Sequence, residues 1–167
     1  YFGNDSWERY APGLKNLVDA LNIRKKILIS FEKAEIASNQ NDIQELLTYV
    51  IIGGCPTGIE ISGSIAELSH RILRKDFRNI DPAMSEIILI EAGPRLLPSF
   101  PEKLSAITKY QLEKRGVKIY LNEKVINIDD KGVHLKDRLL KSHNIIWAAG
   151  VGGNPLGEKL NVPLDKS

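Results

Sequence analysis

The chain holds one cysteine, one methionine and three histidines in 167 residues, and no apolar run long enough to span a bilayer. A single thiol, Cys55, can neither close an internal disulfide nor anchor a cysteine-rich zinc site. His70, His134 and His143 lie far apart in sequence with no second ligand at metal-site spacing, so no metal is assigned. A transmembrane helix needs about 18 or more apolar residues in a row, and no window approaches that. The start lacks the basic and apolar regions of a secretory signal. Its 23 basic against 21 acidic residues leave a formal charge of +2, which gives no electrostatic case for nucleic acid. A reducing, cytoplasmic setting is the expectation. The chain opens on Tyr1 rather than Met and stops in polar sequence at Ser167, so it reads as a piece of a larger protein.

What is present is an ordinary globular composition, 43% apolar and 26% charged, sufficient for one domain with a sizeable core. Residues 1–13 are loop-like, with Gly3-Asn4-Asp5 and Pro12-Gly13 as turn signals. From 14 to 38 apolar residues return at three- and four-residue steps, the helical period. A polar loop follows, with Asp42 as the expected cap of a short helix to Leu47. Apolar runs at 48–53, 85–91, 117–121 and 145–148 read as buried strands, and helices are expected from near Thr57 past Leu68 and over 102–115. Three short alternating stretches, 125–128, 132–135 and 138–141, read as an antiparallel meander. The order β-α-β-α-β, meander, β predicts an α/β fold: a parallel sheet with helices on one face and the meander on the other.

The most informative stretch is Val50-Ile51-Ile52-Gly53-Gly54-Cys55-Pro56-Thr57-Gly58-Ile59-Glu60. A strand runs into glycines and opens at once into a helix, the context of a dinucleotide phosphate loop. Gly53 permits the tight turn, Gly58 lets helix and strand approach, and amides at the helix start can hold a pyrophosphate. The second glycine of the G-x-G-x-x-G fingerprint is Cys55 here. Its side chain is expected to weaken dinucleotide binding by roughly 1–2 kcal/mol, the scale on which additions to a packed site are felt. A thiol near a helix N-terminus is also a candidate for reactivity, beside the plainer reading of a passive small residue. Glu91 closes the second strand, where an acid can accept from a ribose 2′-OH and repel a 2′-phosphate. It lies 38 residues after Gly53, where roughly 20 are usual; helix extension and loop over 70–84 make up the surplus. The loop Asn122–Val125 and the small residues Ala148-Ala149-Gly150 complete a crevice at the strands' carboxyl ends.

The glycine loop, together with Arg74-Lys75-Asp76-Phe77-Arg78-Asn79-Ile80-Asp81-Pro82, Glu91-Ala92-Gly93-Pro94-Arg95-Leu96-Leu97-Pro98-Ser99-Phe100 and Ile146-Trp147-Ala148-Ala149-Gly150-Val151, resembles type II NADH:quinone oxidoreductases. The resemblance covers nearly the whole chain. It implies a Rossmann-like NAD(P)-binding domain whose meander is the crossover to the last strand. Residues 1–48 would be a connector from an FAD-binding domain, 49–152 the NADH-binding domain and 153–167 the start of a return segment. The intact protein would be a respiratory-chain flavoprotein, peripheral on the cytoplasmic face of the inner membrane and possible as a homodimer. It would pass hydride from NADH to FAD and electrons to quinone. FAD would be held mostly by the absent domain, and the fragment alone would not turn over quinone.

The resemblance also assigns roles. Gly53, Gly54, Cys55, Pro56, Thr57 and Gly58 would form the pyrophosphate loop. Glu91 and Ala92 would face the adenosine ribose, and Val125, Ala148, Ala149 and Gly150 would border the two halves of the cofactor. Arg95 would lie beside the adenine or stand as a solvated arginine. Glu60 would take part in hydride or quinone chemistry or stabilise the helix N-terminus. Two alternatives stay open here: another pyridine nucleotide flavoprotein of disulfide or ferredoxin reductase type, and a non-catalytic dinucleotide-binding module. The basic run from His70 to Arg78 reads as a solvated helix face rather than a membrane patch, and Trp7 and Tyr10 are expected to pack under the connector.

Overall fold

The computed structural model describes residues 1–150; Val151 and the return segment 153–167 lie outside the described residues. Four parallel strands form the main sheet: β1 (Thr48–Ile52), β2 (Glu86–Glu91), β3 (Val117–Leu121) and, last in the chain, β7 (Asn144–Trp147). Their order is β3-β2-β1-β7. The chain steps outward from β1 to β3 and then crosses back to β7 on the other side of β1. That reversal is a topological switch point, where α/β sheets open a ligand crevice. The crossover carries the meander β4 (Asn127–Asp129), β5 (Gly132–His134) and β6 (Leu139–Lys141), paired antiparallel in that order.

The strands are apolar on both sides because both faces are covered. Tyr49, Ile51, Ile87, Leu89 and Ile146 face helices α1 (Leu17–Ile36), α3 (Pro56–Glu67) and α4 (Glu102–Lys114). Val50, Ile52, Ile88, Ile90, Ile145 and Trp147 face the meander. Each fully buried aliphatic side chain contributes about 2 kcal/mol of transfer free energy. The helices-on-one-face, meander-on-the-other arrangement is the one the sequence order predicts.

Two local expectations are corrected. Asn39, not Asp42, caps the short helix α2 (Gln40–Leu46), its side chain accepting from the Asn41 amide. Trp7 packs on the meander face rather than under the helical connector. Its ring lies 5.9 Å from that of Trp147, and its Nε1–H donates to Asn127 Oδ1 at 3.0 Å. Residues 1–48 share the sheet's core: Ile23, Ile27, Phe31 and Ala34 of α1 lie in one cluster with Tyr49 and Ile51. Asn144 fastens α1 and the end of α2 to β7, donating to Ser30 Oγ at 2.8 Å and to the Leu46 carbonyl at 2.7 Å.

The Asp76–Pro82 motif is also scaffold. Phe77 stacks 5.8 Å from Phe31, and Asp81 caps the turn Pro82–Met84 through the Ala83 amide. The Glu35 carboxylate accepts from the backbone amides of Arg78, Asn79 and Ile80 at 3.0–3.2 Å. Desolvation pushes the Glu35 pKa up; those amides and the Arg78 charge outweigh it and hold the carboxyl below its ordinary value.

Candidate functional site

Because the four strands run parallel, their carboxyl ends share one edge of the sheet. A cavity of about 370 Å³ opens there, within the range of small-molecule sites. Glu91 and Ala92 come to it from β2, Gly53, Gly54 and Cys55 from the loop after β1, Val125 from the loop after β3, and Ala149 and Gly150 from beyond β7.

The glycine loop is built by close approach. Gly53 has φ of 116°, a conformation that L side chains rarely adopt, and an added Cβ would lie 2.7 Å from the Ala149 nitrogen. A Cβ on Gly58 would overlap the Gly53 carbonyl oxygen. Glycine there lets α3 begin directly against the strand end, with Pro56 at its first turn, where no amide is needed. The first amides of α3 are free: Cys55 gives no side-chain cap, and the Thr57 and Gly58 N–H groups have no hydrogen-bond partner among the described residues. With the helix dipole behind them they form an anion site.

Glu91 ties this loop to β2. Its Oε2 accepts from the Gly54 amide at 2.6 Å and its Oε1 from the Gly93 amide at 2.7 Å. Each carboxylate oxygen keeps acceptor capacity for a hydroxyl. The Gly54 carbonyl in turn accepts from Leu97 at 2.8 Å, so loop, acid and the 93–97 segment form one unit.

Cys55 lies at the cavity wall, with its thiol turned onto the Ala148 carbonyl at 3.0 Å and away from the helix amides. Ala148 also donates its amide to the Ile52 carbonyl at 2.8 Å, which closes β7 onto β1.

Six sequence-predicted residues do not line the cavity: Pro56, Thr57 and Gly58 at the start of α3, Ala148, Arg95 and Glu60. Arg95 gives its guanidinium to the carbonyls of Leu97, Pro98 and Phe100 at 3.2, 2.7 and 2.7 Å and so holds its own loop. Glu60 is exposed on α3 and borders a separate shallow groove with Leu14, Ile23 and Ile27. Conversely, the N-terminal segment contributes side chains that sequence reasoning missed. Phe2, Asn4 and Trp7 line the cavity beside Trp147. The aromatic rings are the available signal, but Trp7 meets its partner Asn127 across 120 residues. Tyr1 anchors the segment through its hydroxyl, which donates to the Ala11 carbonyl at 2.9 Å, and its ring lies 5.0 Å from Trp147. Lys124 and Glu123 also border the cavity.

The site thus offers free amides for an anion, an acid for hydroxyls and apolar walls for flat rings. Comparison with known proteins agrees with that chemistry. The family model for pyridine nucleotide-disulphide oxidoreductases matches residues 10–167. The chain is 39% identical over 165 residues to the type II NADH:quinone oxidoreductase NdhA of Mycobacterium tuberculosis, covering 96% of this chain and 35% of that protein. It is 39% identical over 176 residues to the type II NADH:quinone oxidoreductase Ndh of the same organism, covering 100% of this chain and 38% of the relative. Among solved structures, NDH2 from Plasmodium falciparum in complex with NADH superposes with a TM-score of 0.84 at 29% identity, over 93% of this chain and 33% of that one. The chain therefore spans 33–38% of the length of these relatives.

Proposed function

Because the chain belongs to the pyridine nucleotide-disulphide oxidoreductase family, we propose that it is the NADH-binding unit of a type II NADH:quinone oxidoreductase. The observation that carries this reading is the tie between the glycine loop and the Glu91 carboxylate at the cavity, with the uncapped α3 amides following directly on that loop. The Thr57 and Gly58 amides receive the pyrophosphate, where Gly53 admits close backbone approach. Glu91 accepts the adenosine ribose hydroxyls while its bonds to Gly54 and Gly93 keep it oriented. Strand order then runs the cofactor across the sheet edge. Adenosine lies over β2 and β3, and nicotinamide lies toward β7, where Ala149, Gly150 and Trp147 form the wall. The relatives' names and the NADH held by the Plasmodium falciparum neighbour support the choice of NADH.

In the longer protein the proposed activity is electron transfer from NADH to quinone, with FAD supplying the hydride acceptor. FAD is assigned to the part of the relatives that this chain does not span. Glu60, outside the cavity and exposed, is proposed to face that part and to act on hydride or quinone chemistry there. Attachment to a membrane surface and pairing into a homodimer are proposed with that activity. Among the described residues no helix is long and apolar enough to cross a membrane.

Calorimetric titration of this chain with NADH tests the binding role. Saturable binding with Kd in the range of about 1 μM to 1 mM usual for enzyme substrates is expected. Absence of binding at millimolar NADH contradicts the reading.

A further inference from the structure

The dinucleotide reading places the ribose at Glu91, and the neighbouring strand brings a cation to the same end of the cavity. The loop after β3 is pinned beside that acid. Asn122, at φ 57°, donates its amide to the Gly93 carbonyl at 2.9 Å, and the Glu123 amide donates to the Glu91 carbonyl at 3.1 Å. Of the loop's two charged side chains, Glu123 is neutralised by Arg138 at 2.9 Å, whose guanidinium lies 4.7 Å over the Tyr120 ring. Lys124 has no carboxylate oxygen within 4.0 Å among the described residues, and it lines the cavity together with Glu91. Both oxygens of Glu91 already accept a backbone amide.

We propose that Lys124 is a specificity-determining residue whose ammonium receives a phosphate on the ribose 2′ position, so that the site accepts NADPH alongside NADH. This inference rests on the dinucleotide reading and deepens it. A 2′-phosphate occupies the place of the hydroxyl that Glu91 would bind. Glu91 alone would repel it; a lysine on a flexible stem, next along the sheet edge, supplies a compensating point charge. Lys124 is exposed, so the compensation is partial and salt-sensitive. NADH stays the better ligand, by a margin that Lys124 narrows.

The test is calorimetric titration with NADH and with NADPH of the chain, of Lys124→Ala and of Lys124→Arg, at low and at physiological salt. Lys124→Ala is expected to raise the NADPH Kd by about three- to fivefold, the scale of an exposed ion pair. Its NADH Kd should move less than its NADPH Kd, so that the gap between the two ligands widens; the salt dependence of NADPH binding should weaken, and Lys124→Arg should keep the wild-type ratio. Equal weakening of both ligands, no change in either, or a wild type that binds NADH but no NADPH overturns the proposal and leaves the dinucleotide reading standing. A wild type that binds neither ligand overturns both, and the wild-type titrations alone reveal it.

Discussion

Two loops in this molecule gather backbone amides around a glutamate, and they differ in what is left over. In the Arg78–Ile80 loop the amides converge on Glu35, which is anchored on α1. In the glycine loop the Gly54 amide is taken by Glu91 and the Gly53 amide by the Ile90 carbonyl, while the Thr57 and Gly58 amides have no partner among the described residues. Both segments stand out in the sequence. The first is filled by the protein's own carboxylate and is scaffold. The second keeps donors in reserve and is proposed as a receptor. A distinctive motif becomes a ligand site only where its polar groups lack an internal partner.

The largest expected effect breaks the receptor loop itself. Gly58→Val drives a side chain into the Gly53 carbonyl and should destabilise the fold by about 3 kcal/mol, the upper range for overpacking, with loss of NADH binding. Urea denaturation and calorimetry measure the two losses. Glu91→Gln is expected to weaken NADH by about tenfold, because a charged acceptor between two amides is replaced by a group that can clash with one of them. A titration that finds unchanged affinity removes Glu91 from the ribose.

Glu35→Gln should do the reverse: lower stability and leave the NADH Kd untouched. The pH dependence gives the signature. The Glu35 pKa is depressed in the folded state, so its contribution is fully present above the ordinary glutamate value of 4.5 and is lost as pH falls through the lower folded value. The stability difference between wild type and variant should therefore shrink on acidification, as followed by thermal melts from neutral to acid pH. Cys55→Gly is the smallest expected effect. With the thiol turned onto Ala148, the NADH Kd should tighten by about threefold or less, below the roughly 1–2 kcal/mol a side chain aimed at the phosphates would cost.

The sheet, the crossover helices and the glycine loop were legible because their signals are local: apolar runs of strand length, Pro56 at a helix entry, glycines where backbone meets backbone. The polarity of the crevice was legible for the same reason, since strand order follows from the alternation of elements. What escaped was set by distance in sequence or by competition between partners. Trp7 reaches Asn127 and Trp147 only once the meander is folded. Arg95 sits four residues after Glu91 and reads as an adenine neighbour or a solvated arginine, yet three nearby carbonyls claim its guanidinium. Lys124 carries no motif; its meaning comes from the pairing of Glu123 with Arg138, which leaves Lys124 as the cation at the cavity among the described residues. Glu60 lies two residues from Gly58, but the helical turn carries it to another face.

The contrast between filled and free amides is tested most directly by following backbone amide resonances of the chain during an NADH titration. Saturating shifts at Thr57 and Gly58, with Arg78, Asn79 and Ile80 unmoved, are the predicted result. Saturation that leaves Thr57 and Gly58 unmoved, or that shifts Arg78–Ile80 instead, would contradict the account.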